Sequence, residues 1–565
     1  VLVLLVAWLS LGGVHWRAGV PFAFDGDGLF FLAQSKSTID HGWWWNNPSL
    51  GAPTGLHAVT FAQNGNVDQV IVGITGIFTR DAPLAVNVAW LIMLALSALS
   101  ATWGLRRLGA SRAGAGVAAI LFALTPFAIY RSTGHFNLVT YLLPIPATTA
   151  VWLASMERKE SWRGRDLVAP LAGCALVGFN YIYFAFFGAF VIVIGAIVGA
   201  GRLRSWAPLK VGGVCVAVLI LATTLNLAPN VLAWQHYGRP AGVAHTAAEA
   251  DVYGLKIRQI VAPVRDHWFP PFAAWFARDV DAHFPDDNEN RTARLGLVGS
   301  LGFVGLLAAL LVGGAAGPKD DGHARLDRIR ATALLIVAIL LLATVGGFGS
   351  LFSLLISSDI RAYNRISPFI AYLVLAGVAL WGDRVMAAVS SRWRTGFWIA
   401  VLSVGLADQQ SMFRQLNAER SASAAEFDRV STFMTALESQ LPVGAMVYQL
   451  PVVPYPLDPG IERLGLYEQF RPYVTTHRLR WSYPALTRDQ LVWEGAVAQV
   501  GETNLPRYLA REGFSVILVS RAGYADRGSH LEQVLQGPAA GATLLASNDD
   551  YLALDLRSLR QAVAR

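Results

Sequence analysis

Long apolar runs separated by short charged clusters occupy roughly the first four hundred residues. A helix crossing a hydrocarbon core needs about 20 mostly apolar residues, each adding about 1.5 Å to a thickness of about 30 Å. At that length the pattern predicts about eleven transmembrane helices. They fall near residues 1–16, 82–103, 113–130, 138–155, 167–181, 183–200, 209–228, 295–315, 331–356, 366–382 and 396–409. The opening run, VLVLLVAWLSLGGV, has no small-residue cleavage pattern and reads as a slightly truncated first span, not a signal peptide.

From Ser411 the pattern changes: charged residues become frequent and no further span follows. Residues 424–440 and NLPRYLAREG have helical character, AMVYQLPV and FSVILVS read as strands, and TLLASNDDYLALDL reads as a hairpin turning at Asn548 and Asp549. The predicted architecture is therefore a polytopic α-helical membrane module, residues 1–410, followed by a soluble α/β domain, residues 411–565, of about 150 residues, enough to bury its own core. No internal repeat or low-complexity linker interrupts it.

The charges between spans give the direction. Arg106, Arg107 and Arg112 follow the second span; Arg158, Lys159, Arg163 and Arg165 the fourth; Arg202, Arg204 and Lys210 the sixth. Lys319, Arg325, Arg328 and Arg330 follow the eighth, and Arg384, Arg392 and Arg394 the tenth. Every second short loop is basic, which places those loops and the N-terminus in the cytoplasm. The loop 18–81, residues 229–294, residues 357–365 and the C-terminal domain then face outward.

Composition agrees. The chain is 54% hydrophobic and only 15% charged, against about 25% charged in soluble domains. Its net charge of +7 sits in loop clusters and forms no single basic patch, so nucleic acid is not an expected partner. Cys174 and Cys215 lie inside predicted spans, which argues against a structural disulfide or thiolate metal site.

The first outer loop, 18–81, is acidic: Asp25, Asp27, Asp40, Asp68 and Asp81 outnumber Lys36 and Arg80. Its segments DHGWWWNNPSLGAP and GLHAVTFAQNGNVDQVIVGITGIF suit short amphipathic helices at the membrane surface. It begins with VPFAFDGDGLFFLAQ, which sets two carboxylates at the outer end of the first span. By itself D-x-D also fits a turn. An ionisable group at membrane depth, however, usually faces a cavity or a functional site, and the flanking Gly26 and Gly28 allow a sharp turn and a close approach.

The FDGDG motif after the first span, the long amphipathic outer loop, the many-span core and the outer C-terminal domain with YLAREGFSVILVSRAGY together resemble the GT-C superfamily of membrane glycosyltransferases. The resemblance covers the whole chain in architecture but is specific in few residues. It implies an enzyme that takes a sugar from a polyprenyl-phosphate donor at the outer face and passes it, with inversion, to a glycan or lipid acceptor. It also implies that Asp25 or Asp27 is the catalytic base, the D-G-D spacing leaving open which; Asp25 is the first choice.

A departing lipid phosphate needs cations aimed at it. YRSTGHFNL offers Arg131 and His135 with Asn137, and SSDIRAYNRISP offers Arg361 and Arg365 with Tyr363 and Asn364. Four residues apart, Arg361 and Arg365 would share one face of a helix. These arginines also suit snorkelling to headgroups, and His135 a helix-capping bond. His57, Trp44, Asn46 and Tyr363 are candidate sugar or acceptor contacts, although Trp43 to Trp45 equally suit an interfacial aromatic belt. In the C-terminal domain Tyr448, Tyr455, Arg471 and Trp481 suit carbohydrate contact or core packing alike. AHFPDDNENR, with His283, Asp286, Asp287 and Glu289, can supply oxygen ligands to a divalent cation or form a solvated loop; no metal or other cofactor is expected, since the basic residues already supply positive charge. Three other functions stay open: a polysaccharide polymerase or ligase, for which His236, Arg239 and His245 speak; a lipid-linked sugar flippase, for which Pro144 and Pro146 speak; and a non-catalytic assembly protein.

Overall fold

The computed structural model describes residues 1–565 apart from 63–64, 158–163, 241–244, 265–266, 277, 279–282, 285–287, 312–320, 457–459 and 564–565. Arg158, Lys159, Arg163, Lys319, Asp286 and Asp287 lie outside the described residues. The apolar runs fold as helices, but among the described residues only four are long and apolar enough to cross a membrane: Ala82–Arg107, Ile182–Leu203, Ala207–Tyr237 and Tyr363–Val385. A fifth span results if Arg112–Ala123 and Phe127–Gly134, bent by 42°, count as one. Several of the other runs form helices shorter than their apolar length because Pro and Gly interrupt them. Pro126 stands at the 42° bend, Pro144 opens the helix Pro144–Ser155, and the run 331–356 divides around Gly346 and Gly347 into Asp321–Ala343 and Phe348–Leu355. Proline removes a backbone donor and clashes with the preceding turn.

The helices differ in what they face. Tyr363–Val385 is central, with 89% of its apolar window buried. Ala207–Tyr237 buries only 33% of its window and turns Ile220, Leu221 and Leu225 outward. A broad exposed aliphatic surface of this kind is the mark of contact with lipid.

The change of composition at Ser411 falls inside one continuous helix, Ser391–Ser439, of 49 residues, about 74 Å long at 1.5 Å per residue. It leads into a mixed sheet. A two-residue hairpin in the first outer loop supplies β1 (Asn46–Asn47) and β2 (Leu56–His57). The C-terminal sheet comprises β3 (Met446–Leu450), β4 (Arg480–Trp481), β5 (Phe514–Ser520), β6 (Thr543–Ser547) and β7 (Tyr551–Asp555), in the order β4-β3-β5-β7-β6. β3 runs parallel to β4 and β5, whereas β7 is antiparallel to β5 and β6. Central β5 is buried along its whole length, as its uninterrupted apolar sequence requires. The β6–β7 turn forms at Asn548 and Asp549; the Asn548 side chain accepts bonds from the Asp550 and Tyr551 amides at 3.0 and 2.7 Å.

The loop 18–81 contains two helices, Gly26–His41 and Asn66–Phe78, and the C-terminal domain grips it. Trp481 N donates to Ser49 O and Ala52 N to Trp481 O, both at 2.9 Å. Gln490 Nε2 donates to Gly55 O at 2.8 Å. Lys36, 1% exposed, reaches Asp40 at 2.7 Å and lies over the Tyr473 ring at 5.4 Å.

A second buried charge in this loop has only neutral donors around it. Tyr141 Oη donates to Asp68 Oδ1 at 2.9 Å and Asn180 Nδ2 to Oδ2 at 3.1 Å. Burial pushes the Asp68 carboxyl up to about 7 against these two bonds. The unfolded chain releases that proton near 3.9. Between the two values the folded state holds the extra proton, so stability falls as pH rises through that window. Asp68→Asn is expected to flatten this decline, as read by thermal midpoints of the detergent-solubilised protein from pH 4 to 8.

Candidate functional site

The FDGDG motif turns the chain from the first helix into Gly26–His41. Gly26 has φ +44, a conformation that L side chains adopt with strain. At Gly28 a Cβ would lie 2.5 Å from the Ala23 Cβ, so only glycine lets the helix start pack this closely on the segment before it. Asp25 precedes the helix and Asp27 stands in its first turn, where a negative charge complements the helix dipole. The two carboxylates therefore face different surroundings.

Asp25 opens on a cavity of about 450 Å³ walled also by Tyr130, Arg131, Glu289, Arg291 and Glu419. Tyr130 Oη donates to Glu419 and accepts from Arg291 Nη2 at 3.0 Å. Asp27 is not among the residues that wall this cavity. Its Oδ2 is 3.8 Å from His135 Nε2, and Arg131 and Arg365 act on it electrostatically.

Glu289 organises the cations. Arg365 holds it with two parallel bonds, Nε to Oε2 at 3.0 Å and Nη2 to Oε1 at 2.7 Å. Arg131 Nη2 donates to the same Oε1 at 2.8 Å. Arg365 also donates to Tyr181 Oη and lies 5.1 Å from the Tyr183 ring centre. Burial raises the affinity of the Glu289 carboxyl for a proton, but Arg365 and Arg131 outweigh it and hold this group well below the usual carboxylate range. Asp27 shows the opposite balance. Its side chain remains 42% exposed, yet the surrounding protein desolvates it enough to raise it above the ordinary aspartate value, against the pull of Arg131 and Arg365.

Asp27, Arg131, His135 and Arg365 thus converge from three separate segments. Arg361 and Arg365 do not share one helical face. The helical turn begins only at Tyr363, so Arg361 precedes it and pairs instead with Glu249, which His245 Nδ1 approaches at 3.3 Å. His57 and Asn46 form a cluster of their own: His57 Nδ1 is 2.8 Å from Asn46 Oδ1 and stacks on Tyr237 at 4.2 Å. Trp44 is 2% exposed and donates to Asn66 Oδ1 at 3.1 Å. Tyr363, 1% exposed, packs among Phe186 and Phe187. Burial puts the Tyr363 ring out of reach of a ligand at Asp27, whereas Trp44 lines a small pocket beside the helix Gly26–His41. In the C-terminal domain Tyr448 and Trp481 are likewise core residues. Sequence reasoning missed Tyr181, Tyr183, Glu249, Arg291 and Glu419, and it considered Glu289 only as a cation ligand. The aromatic run FNYIYF between two apolar stretches was the available signal for the tyrosines.

No family model matches the chain, and no curated protein matches it in sequence. Among solved structures it is similar to ArnT from Cupriavidus metallidurans in the apo state, at 13% identity and a TM-score of 0.54, over 99% of this chain and 98% of that one. The same protein bound to undecaprenyl phosphate aligns at 13% identity and a TM-score of 0.53, over 99% and 97% of the two chains. The chain has the GT-C fold.

The GT-C fold accounts for the shared path of the chain from the first helix through the outer loop to the C-terminal sheet. The residues gathered at its outer-loop junctions supply a carboxylate, an imidazole and two guanidiniums, a set suited to proton transfer beside an anion. Among the described residues no group of three or more His, Cys, Asp or Glu side chains is placed to hold a metal ion, and Glu289 is engaged by arginines. Removing it strands two partly buried guanidiniums. Glu289→Ala is therefore expected to lower stability by roughly 3 kcal/mol, measured as a drop in thermal midpoint, with Glu289→Asp recovering part of the loss.

Proposed function

We propose that the chain is a membrane glycosyltransferase. It transfers a sugar from a polyprenyl-phosphate carrier to a hydroxyl group of a glycan or lipid, at the outer face of the bacterial inner membrane. The observation that carries this reading is the placement of Asp27 against His135, Arg131 and the Glu289-held Arg365. Undecaprenyl phosphate bound to the similarly folded ArnT supports the donor class. Arg202 pairs with Asp327 at 2.7 Å, and Arg328 donates to Leu108 O at 3.0 Å. The basic loops thus meet one another, away from the acidic loop and its sheet, which supports the orientation with the N-terminus inside.

In the proposed reaction Asp27 takes the proton of the acceptor hydroxyl as its oxygen bonds to the anomeric carbon. The bond from that carbon to the phosphate oxygen breaks with its electron pair, and the configuration inverts. Polyprenyl phosphate leaves with its added charge balanced by Arg131 and Arg365. The raised affinity of Asp27 for protons makes it a stronger base than an ordinary aspartate while it still ionises readily. With Arg131 and Glu289, Asp25 lines the neighbouring cavity, which holds the part of the acceptor remote from its reacting hydroxyl.

Asp27→Asn is expected to cut kcat by at least about 100-fold while leaving insertion and thermal midpoint nearly unchanged. Asp25→Asn is expected to act mainly on the KM for acceptor. Both are read from consumption of a panel of polyprenyl-phosphate sugars, and equal loss in the two variants would refute the assignment of Asp27.

The rate should also fall on acidification at a pH above the ordinary aspartate value of about 3.9, because the base must be ionised. Arg131 lowers the affinity of Asp27 for its proton. Arg131→Gln is accordingly expected to move the acid limb of kcat to higher pH; a limb that stays put or moves down would remove Asp27 from the base role.

A further inference from the structure

Gln34 sits where a carboxamide should not be left alone. It is 8% exposed, and neither Oε1 nor Nε2 has a hydrogen-bond partner. A buried amide without partners is costly. Its side chain lines a small pocket between the helix Gly26–His41, the β1–β2 hairpin and the C-terminal domain, with Phe30, Trp44, Phe61, Tyr455 and Phe470 among the walls. Of the other polar groups there, Trp44 Nε1 bonds Asn66, and Asn47 bonds Tyr473 and the Ser49 amide, while Ser37 Oγ, one helical turn from Gln34, also lacks a hydrogen-bond partner and stands beside the carboxamide.

The pocket and the proposed site lie along one helix. Residues 27, 30, 31 and 34 follow the i, i+3, i+4, i+7 spacing of a single helix face, so Gln34 lies about 10 Å along the axis from Asp27. Phe30 lines the pocket and packs on Tyr467 at 5.1 Å, and Tyr467 in turn feels the charge of Asp27.

The lining defines what fits. No charged side chain lines the pocket among the described residues, so an ammonium or carboxylate would enter without a counterion. An isoprenoid tail would satisfy the aromatic walls but leave both amide atoms of Gln34 unpaired. A bare sugar ring carries more hydroxyls than one carboxamide can serve. The free space, about 30 Å³, admits a group the size of roughly two waters. A compact neutral group with one donor, one acceptor and an apolar end meets all four conditions.

We propose that Gln34 and its aromatic pocket bind the acetamido substituent of an N-acetylated sugar, the methyl group among the rings and the amide paired with the carboxamide. The inference rests on the glycosyltransferase reading and specifies the substrate class of that site.

The test uses the purified full chain and saturation-transfer NMR with two probes, methyl 2-acetamido-2-deoxyglucoside and methyl glucoside. The acetyl methyl protons are expected to receive the strongest saturation, and the probe lacking the amide to bind at least tenfold more weakly. Gln34→Leu is expected to abolish that preference without lowering the thermal midpoint, since it replaces an unpartnered amide with an apolar side chain. Equal binding of the two probes, an undiminished preference in Gln34→Leu, or a lower midpoint in that variant would each overturn the proposal. Asp27→Asn is expected to keep the preference. If it does and no polyprenyl-phosphate sugar is consumed by the parent protein, the transferase reading fails and the amide pocket stands. If sugars are transferred with no amide preference, the pocket proposal fails and the transferase reading stands.

Discussion

Two guanidiniums can be brought together below the surface only if a carboxylate joins them. Glu289 does this, with a two-bond hold from Arg365 and a single bond from Arg131. An unpaired charge in such a place costs several kcal/mol, so the register of three segments depends on this one side chain. Arg131 comes from the bent helix pair, Arg365 from the first turn of the central helix, and Glu289 from the loop 229–294. Their mutual attraction fixes the charged part of the wall of the Asp25 cavity. It also means that the cations are already occupied. On the proposed function, an arriving phosphate binds by exchange with Glu289, and its affinity is the difference between two strong interactions.

The C-terminal domain belongs to the same construction. The 49-residue helix Ser391–Ser439 carries Glu419 to Tyr130 at one level and Glu426 to Arg471 at the next, the latter at 3.0 Å. Arg471 also bonds Glu468 at 2.8 Å and the Phe24 carbonyl at 3.2 Å, so the domain holds the residue that precedes Asp25. Tyr467 and Phe470 then pack on Phe30, one turn beyond Asp27. The domain is thus part of the wall around the acidic motif, and the sheet contributes by locking the outer loop through Trp481 and Gln490.

What was legible in the sequence was local. The apolar runs, the β6–β7 hairpin at Asn548 and the two glycines of FDGDG each follow from the conformational needs of a few neighbouring residues. Arg131, His135 and Arg365 were legible as types, because a cation at an apolar boundary is conspicuous. Glu289 as their partner was not, since its role arises only when segments more than 70 residues apart meet. Tyr363 misled for a related reason: an aromatic ring in a polar loop looks available, and only the packing shows that its faces are covered. Span lengths were overstated wherever proline or glycine divided a run that hydropathy alone treats as continuous.

The choice between Asp25 and Asp27 turns on a balance that sequence spacing does not contain. Both precede or open the same helix, but Asp27 is desolvated by the surrounding protein and still lies within reach of two cations. Desolvation wins, so its carboxylate is more basic than usual even before any substrate is bound. On the proposed function, donor binding strengthens this. The phosphate draws Arg131 and Arg365 toward itself and adds negative charge beside Asp27, and both effects favour the protonated carboxyl. The base therefore becomes most willing to accept a proton when the leaving group is in place, which couples proton removal from the acceptor to the presence of the donor without any moving part.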